Sequence, residues 1–293
     1  MREKEKEREI HMKLLSINTH SLIEENYEKK VKIFVEAVAR IKPDIICMQE
    51  VNQTNTAALA DDSLKVNQYV IPNATVPLKA DNHAALVAKL LREAGVTYYW
   101  VWSAAKMGYD KYDEGQAIFS LKPIEEIHDF PISKVDDFSK WKTRHVLGAR
   151  VQGLPDWYYS VHMGWWTDEE EPFQTQWDKL ETELYLRKID TKVWLLGDFN
   201  SPSVVRNQGY DYIRSKGWHD TYENVKIKDT GITVAGIIDG WRGLIEGNPD
   251  QLKGMRIDYV WCNKEDKMLS SLVIFNGENE EVISDHFGVL VEY

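Results

Sequence analysis

Hydrophobic and polar positions along this chain switch repeatedly between strand-like and helix-like spacing. KLLSINT (13–19) reads as a strand. Residues 27–41 then place Tyr27, Val31, Phe34, Val35, Val38 and Ile41 at helical spacing, which gives one apolar face. Pro43 stops that helix because it cannot continue the hydrogen-bond ladder. DIICMQE (44–50) follows as a buried strand, apolar until it ends in Gln49–Glu50. A strand–helix–strand unit favours parallel pairing and a right-handed crossover. Residues 51–80 are polar and irregular and read as a long surface excursion. A helix is expected over 82–94, with Asp81 as its cap and Gly95 at its end. Strands are expected at 97–103, 115–120, 144–152 and 157–162. A second amphipathic helix runs from Pro172 to Ile189 with Phe173, Trp177, Leu180 and Leu184 facing inward. Further strands are expected at 192–200, 256–262, 270–276 and 286–292. The pattern has no short repeat and no low-complexity linker. It predicts one mixed α/β domain over 13–293, its sheets covered by helices, behind a charged tail at 1–12.

Composition narrows the partners. The chain has 293 residues, 43% hydrophobic and 28% charged, the balance of a globular protein with a full-sized core. Its formal charge is −11, from 36 basic and 47 acidic side chains. Duplex binding draws affinity from counterion release by a Lys/Arg surface, so nucleic acid is a possible partner that the charge does not favour. A nuclease is not excluded, since a few local cations and a metal can hold one phosphate. Cys47 and Cys262 both lie in apolar runs and read as buried thiols. Two cysteines are too few for a disulfide framework, and the expected compartment is the reducing cytoplasm. The N-terminus MREKEKEREIHMK lacks a signal peptide's apolar core, and nowhere do about eighteen apolar residues run together as a membrane span requires. Residues 2–9 alternate four basic with four acidic groups, which predicts a frayed tail or a short solvated helix, with Met12 as a second candidate start. The oligomeric state is not legible.

The chemistry lies where apolar strands end. Asn18 follows LLSI, Glu50 follows IICMQ, His162 follows YYSV, and Asp198 and Asn200 follow VWLLG. In α/β folds, strand ends on one side of a sheet open onto a shared crevice. Phosphodiester hydrolysis needs such a polar cluster, because substrate and transition state are both anionic. A hard cation held by carboxylates neutralises that charge and acidifies water, and Glu50 is the first candidate ligand. A histidine backed by a carboxylate can take a proton or steady the phosphoryl charge.

These residues sit in an ordered series: SINTH with Asn18, IICMQEV with Glu50, DEGQAIFS with Glu114, YYSVHMG with His162, LLGDFNSP with Asp198 and Asn200, RIDYVW with Asp258, and SDHFGV with Asp285–His286. The series resembles the endonuclease/exonuclease/phosphatase superfamily from Lys13 to Tyr293. The resemblance implies a four-layer α-β-β-α sandwich, two mixed β-sheets packed face to face with helices outside. It implies a Mg²⁺ site, with Mn²⁺ a possible substitute, at Glu50 with Asn18 or Asp285 close by. His286 would pair with Asp258 as base or as stabiliser of the phosphoryl oxygens. Asp198 and Asn200 would position water and transition state, and His162 would sit near the leaving group. Whether Asp198 or His286 takes the water's proton stays open, as does the number of metals.

Other residues have two readings each. Asp81 and His83 fit helix capping, and Glu114 fits either a turn or support of the site. Arg144 can reach a substrate phosphate or lie on the surface. His20 and His145 read as bystanders. Trp165 and Trp166 are equally placed to wall a cleft or to pack a core. The acidic run Asp168–Glu171 would repel a long polyanion if it lay beside the site, or would suit a helix N-terminus. The lean is toward a small or lipid-type phosphoester, with a DNA or RNA nuclease as the alternative and a non-catalytic binding protein on the same scaffold as the remote one.

Overall fold

Leu14 and Leu15 are neighbours in one strand, yet they belong to different hydrophobic cores. That alternation organises the molecule. The computed structural model describes residues 11–71, 75–245 and 247–293. The expectation for the charged tail falls outside them except at its end, where buried Met12 exchanges backbone hydrogen bonds with Tyr293.

The strands in chain order begin with β1 (Lys13–Asn18), β2 (Ile45–Thr54), β3 (Tyr99–Gly108), β4 (Tyr112–Ser120) and β5 (Ile124–Pro131). Next come β6 (His145–Val151), β7 (Trp157–His162), β8 (Val193–Asp198), β9 (His219–Asp220) and β10 (Ile227–Lys228). The last are β11 (Val234–Ala235), β12 (Gly254–Met255), β13 (Asp258–Cys262), β14 (Ser270–Ile274) and β15 (Gly288–Glu292). Among the described residues they form a seven-stranded sheet ordered β10-β14-β15-β1-β2-β4-β3 and a six-stranded sheet ordered β5-β6-β7-β8-β13-β9, with β11-β12 as a separate pair. β1 and β2 pair in parallel, as the intervening helix α1 (Tyr27–Ile41) requires.

Because strand side chains alternate faces, each sheet has an inner and an outer row. Leu14, Ile45 and Cys47 of the first sheet meet Tyr158, Trp194, Leu196 and Val260 of the second in a core between the sheets. Leu15, Ile17, Ile46 and Met48 face outward under α1 and α2 (His83–Glu93). On the far side Tyr159, Val161, Val193 and Leu195 pack under α3 (Phe173–Leu186) and α4 (Gly209–Ser215). Three cores between four layers make this an α-β-β-α sandwich. Phe173, Trp177, Leu180 and Leu184 all face inward, as their spacing predicts.

Several expectations are corrected. β2 continues to Thr54, so residues 51–54 are strand and not excursion. Asn82 caps α2 by accepting from the Ala85 N–H, while Asp81 accepts from the Thr54 N–H. His83 is buried against Tyr27 and does not cap. β5, α4, α5 (Asp239–Arg242) and the two-residue strands carry no readable period, and the pattern missed them.

Candidate active site

The site lies where the inner rows run out of apolar residues. Four rows converge: Leu14–Ser16–Asn18 on β1, Tyr158–Ser160–His162 on β7, Trp194–Leu196–Asp198 on β8, and Cys262–Val260–Asp258 on antiparallel β13. Register aligns their ends, pairing His162 with Asp198 and Asp198 with Asp258. Gly197 permits the close approach of β7 and β8, since a Cβ there would stand 1.8 Å from the Val161 carbonyl oxygen.

Glu50 reaches the site by a different device. Two residues of β2, Gln49 and Glu50, oppose Gln116 alone on β4, a β-bulge between Met48 and Val51. Gln49 points inward to the Ser160 hydroxyl. Simple alternation would send Glu50 outward, but the outward place goes to Val51, which rejoins the core under the helices. Glu50 takes a positive φ of 51° and turns to the site. The expectation that Glu50 ends its strand is thus corrected, because Glu50 lies inside β2.

Asn18 joins the carboxylates: its Nδ2 donates to Glu50 Oε1 at 2.9 Å and to Asp198 Oδ2 at 3.2 Å. Its Oδ1 accepts from the His20 N–H at 3.3 Å, which makes Asn18 a bridge and leaves it poorly disposed as a metal ligand. Asp198 Oδ1 accepts from the Asn200 N–H at 2.8 Å, and Asn200 Nδ2 donates to the Met163 carbonyl. His162 Nε2 stands 3.9 Å from Glu50 and 3.6 Å from Asp198. His286 Nδ1 bonds Asp258 Oδ2 at 2.9 Å, while its Nε2 stands 3.7 Å from Asp198.

Electrostatics separates the two imidazoles. Burial, Arg144, Lys106 and His286 hold His162 well below its ordinary pKa. Burial would lower His286 too, but the Asp258 and Asp198 carboxylates outweigh it and hold His286 well above the ordinary value. At neutral pH His162 is a neutral lone-pair donor and His286 a cation. Burial, helped by Glu114, pushes Glu50 up, against the Asn18 hydrogen bond. Burial also pushes Asp198 up, with Asp258 and Glu50 adding to it and His286 opposing.

Three groups of side chains among the described residues are close enough to share a metal ion: Glu50–His162–Asp198, Asp198–Asp258–His286, and His20–Glu24–Asp285. The first fits a hard divalent cation best. It offers two carboxylates whose pKa values burial raises and whose charge a cation would compensate, plus a neutral imidazole. In the second, His286 and Asp258 already bond each other at 2.9 Å, which weighs against it.

Asp285 is not brought to Glu50. It is largely exposed, 3.9 Å from His20, because adjacent side chains here point apart and His286 takes the inward place. The inward His286 bonds Asp258, the partner that the resemblance implies, and Asp285 stands outside that pair.

Glu50, His162, Asp198, Asn200 and His286 line a cavity of about 540 Å³. Its walls include Arg144, Lys106 and Glu114, all buried. Glu114 is therefore a strand residue of the site, paired with Lys106 at 3.0 Å, and not a turn residue. Arg144 is buried and not superficial. Its Nη1 donates to the Trp141 and Thr143 carbonyls, and its Nε is buried without a partner. Sequence reading missed Lys106, Tyr109 and Trp141 here; the lone charge in SAAKMG is the one signal it could have used.

Trp165 lines the cavity, whereas Trp166 packs on Phe173 and Tyr212. The acidic run is largely consumed internally. Asp168 and Glu170 hold Lys142 at 2.8 and 3.1 Å, and Glu171 accepts from the Lys134 and Val135 N–H groups. It clasps the 134–142 loop, so its use as a barrier to polyanions loses most of its basis.

A mixed two-sheet sandwich with carboxylates, amides and paired histidines at one end of its inner core has the form of a phosphoester hydrolase. Residues 15–286 match the Endonuclease/Exonuclease/phosphatase family, and the chain belongs to that family. A family protein from Leptotrichia buccalis C-1013-b is 30% identical, with TM-score 0.81 over 96% of this chain and 98% of that one. A mannosyl-6-phosphatase from Bacteroides thetaiotaomicron VPI-5482 shares the fold at 17% identity, with TM-score 0.63 over 96% and 98%. A Neisseria 3′ phosphatase bound to a product DNA hairpin does so at 20% identity, with TM-score 0.59 over 96% and 99%. No curated protein matches the sequence. No helix among the described residues is long and apolar enough to cross a membrane.

Proposed function

We propose that this chain is a divalent-metal-dependent hydrolase of phosphate esters, acting on a small phosphoester through one catalytic domain spanning 13–293. The observation that carries the reading is the joining of Glu50, Asn18, Asp198, His162 and the Asp258–His286 pair around one cavity. Glu50, Asp198 and His162 would hold Mg²⁺, with Mn²⁺ as a substitute. When bound there, the ion supplies positive charge for the phosphoryl oxygens and lowers the pKa of water.

The chain's own residues do the rest. Arg144 and Lys106, both on the cavity wall, attract the phosphoryl group. Asp198 orients the attacking water, whose lowered pKa lets its proton pass to solvent. Asn200 fixes Asp198 through its backbone N–H. His286, kept cationic by Asp258, faces the charge that grows on phosphorus in the transition state. His162 stands beside both carboxylates, toward the departing oxygen.

Preference for a small ester is supported by the −11 charge and by a cavity of about 540 Å³ with cations confined to its walls. A nuclease reading is favoured by one observation, the fold shared with the DNA-bound Neisseria 3′ phosphatase. Hydrolysis of bis-p-nitrophenyl phosphate and of a DNA hairpin, each with Mg²⁺ and with EDTA, separates the two. Metal-dependent cleavage of the small diester with little on DNA is expected. Faster cleavage of DNA reverses the substrate assignment.

A further inference from the structure

The outer part of the cavity is aromatic, and nothing in the phosphoryl chemistry requires that. Tyr109 is 66% exposed and Trp141 53% exposed, yet both line the same cavity as His162 and Asp198. Trp141 and Trp165 form a pair with ring centroids 5.8 Å apart, tilted by 57°. The Lys142 clasp to Asp168 and Glu170 ties their two loops together, and Lys142 Nζ also lies 5.4 Å from the Trp141 ring.

Tyr109 sits in a demanding place. It and Asp110 are the central residues of the β3–β4 hairpin, closed by a hydrogen bond from the Lys111 N–H to the Gly108 carbonyl. Both have φ of 52°. Hairpin turns with two left-handed residues ordinarily take Asn and Gly, because a side chain is unfavourable there. A bulky residue in that region is uncommon, and strain of this kind gathers at functional sites. No hydrophobic core covers the Tyr109 ring, so its place in the cavity lining is the role the structure gives it.

From this arrangement, and resting on the phosphoester-hydrolase reading above, we infer that the substrate's alcohol bears a rigid ring stacked on Tyr109 and Trp141. Aromatic faces hold the flat or C–H face of a ring, whereas a flexible chain must surrender rotational freedom to lie along them. Asp110 and Ser139, also on the cavity wall, supply polar partners for ring hydroxyls or amines. The shared chemistry is the phosphate ester of a ring-bearing alcohol, and a sugar phosphate and a mononucleotide are its two sources. In hydrolysis the water oxygen bonds to phosphorus as the bond from phosphorus to the ester oxygen of the ring-bearing alcohol breaks, and that oxygen leaves with a proton.

The test measures kcat/KM with Mg²⁺ on a hexose 6-phosphate, a nucleoside 5′-monophosphate, glycerol 3-phosphate and bis-p-nitrophenyl phosphate. Wild type, Tyr109→Ala, Tyr109→Phe and Trp141→Ala are compared. At least one ring ester is expected to exceed glycerol 3-phosphate tenfold or more, and which one identifies the source. Tyr109→Ala and Trp141→Ala should each shrink that preference at least fivefold, chiefly through KM, while Tyr109→Phe preserves it. Since both side chains are exposed, their truncation leaves the cores intact. Turnover of bis-p-nitrophenyl phosphate without any ring preference, or a preference that survives both alanine variants, overturns this inference alone. No metal-dependent turnover of any ester overturns the hydrolase reading and this inference with it.

Discussion

Asp258 and His286 show how single residues divide the work. The carboxylate accepts from His286 Nδ1 at 2.9 Å and keeps the ring cationic against burial, so Nε2 points a positive charge toward Asp198. On the proposed mechanism, removal of that ring takes away charge stabilisation made in the transition state. His286→Ala should therefore lower kcat by roughly a hundredfold or more with the fold retained. Single-turnover kinetics check this, and a loss below about tenfold contradicts a direct role. His286, Asp198 and Asn200 were legible because each interrupts or follows an apolar run. Lys106, Tyr109 and Trp141 were not, because a hairpin turn and a loop deliver them and no periodicity points there. Arg144 was named from the sequence as a candidate, and its burial on the cavity wall was invisible there.

At the scale of elements, the site depends on how strands are joined. Thr233 is fully buried just before β11, and its hydroxyl accepts from the Ile257 and Asp258 N–H groups at 3.1 and 3.2 Å. Its carbonyl accepts from the Phe287 N–H at 2.7 Å, and Val234 bridges to His286. One residue thereby fixes both segments that carry the Asp258–His286 pair. Thr233→Val keeps the shape but strips two buried N–H groups of their acceptor. It should cost about 1–3 kcal/mol of stability and lower kcat more than it raises KM. Thr233→Ser should restore both. Urea unfolding and steady-state kinetics check this; a Val variant with wild-type kcat contradicts it. The apolar runs made most main strands and the first three helices readable, because burial on one or both faces leaves a periodic trace. The β2 bulge left none, since one added residue shifts the facing without changing composition. The described residues of 219–255 form two-residue strands, single helical turns and bends whose pattern is too short to carry a period.

Across the whole molecule, burial makes stability depend on pH. His83 lies beneath α1 and α2 with its Nδ1 on the Tyr27 hydroxyl, and burial depresses its pKa to about 3 from the ordinary 6.5. Below pH 6.5 the unfolded chain takes a proton that the folded one refuses. The contribution is complete above 6.5 and declines as pH falls toward 3. Raised groups such as His286 and Asp198 titrate in both wild type and variant, so a difference isolates His83. The gap in melting temperature between wild type and His83→Gln should shrink steadily from pH 7.5 to pH 5. A gap that stays constant contradicts a neutral buried imidazole.

The account turns on Glu50, which a bulge with positive φ carries to the end of the inner core, beside Asp198 and His162. The most direct measurement is the Mg²⁺ dependence of bis-p-nitrophenyl phosphate hydrolysis by wild type and Glu50→Gln, with folding verified by circular dichroism. Hydrolysis by wild type should rise with Mg²⁺ to saturation and vanish in EDTA, while Glu50→Gln should lose at least a hundredfold and require far more Mg²⁺. Equal activity and equal Mg²⁺ dependence in the two proteins would contradict the metal site and the mechanism built on it.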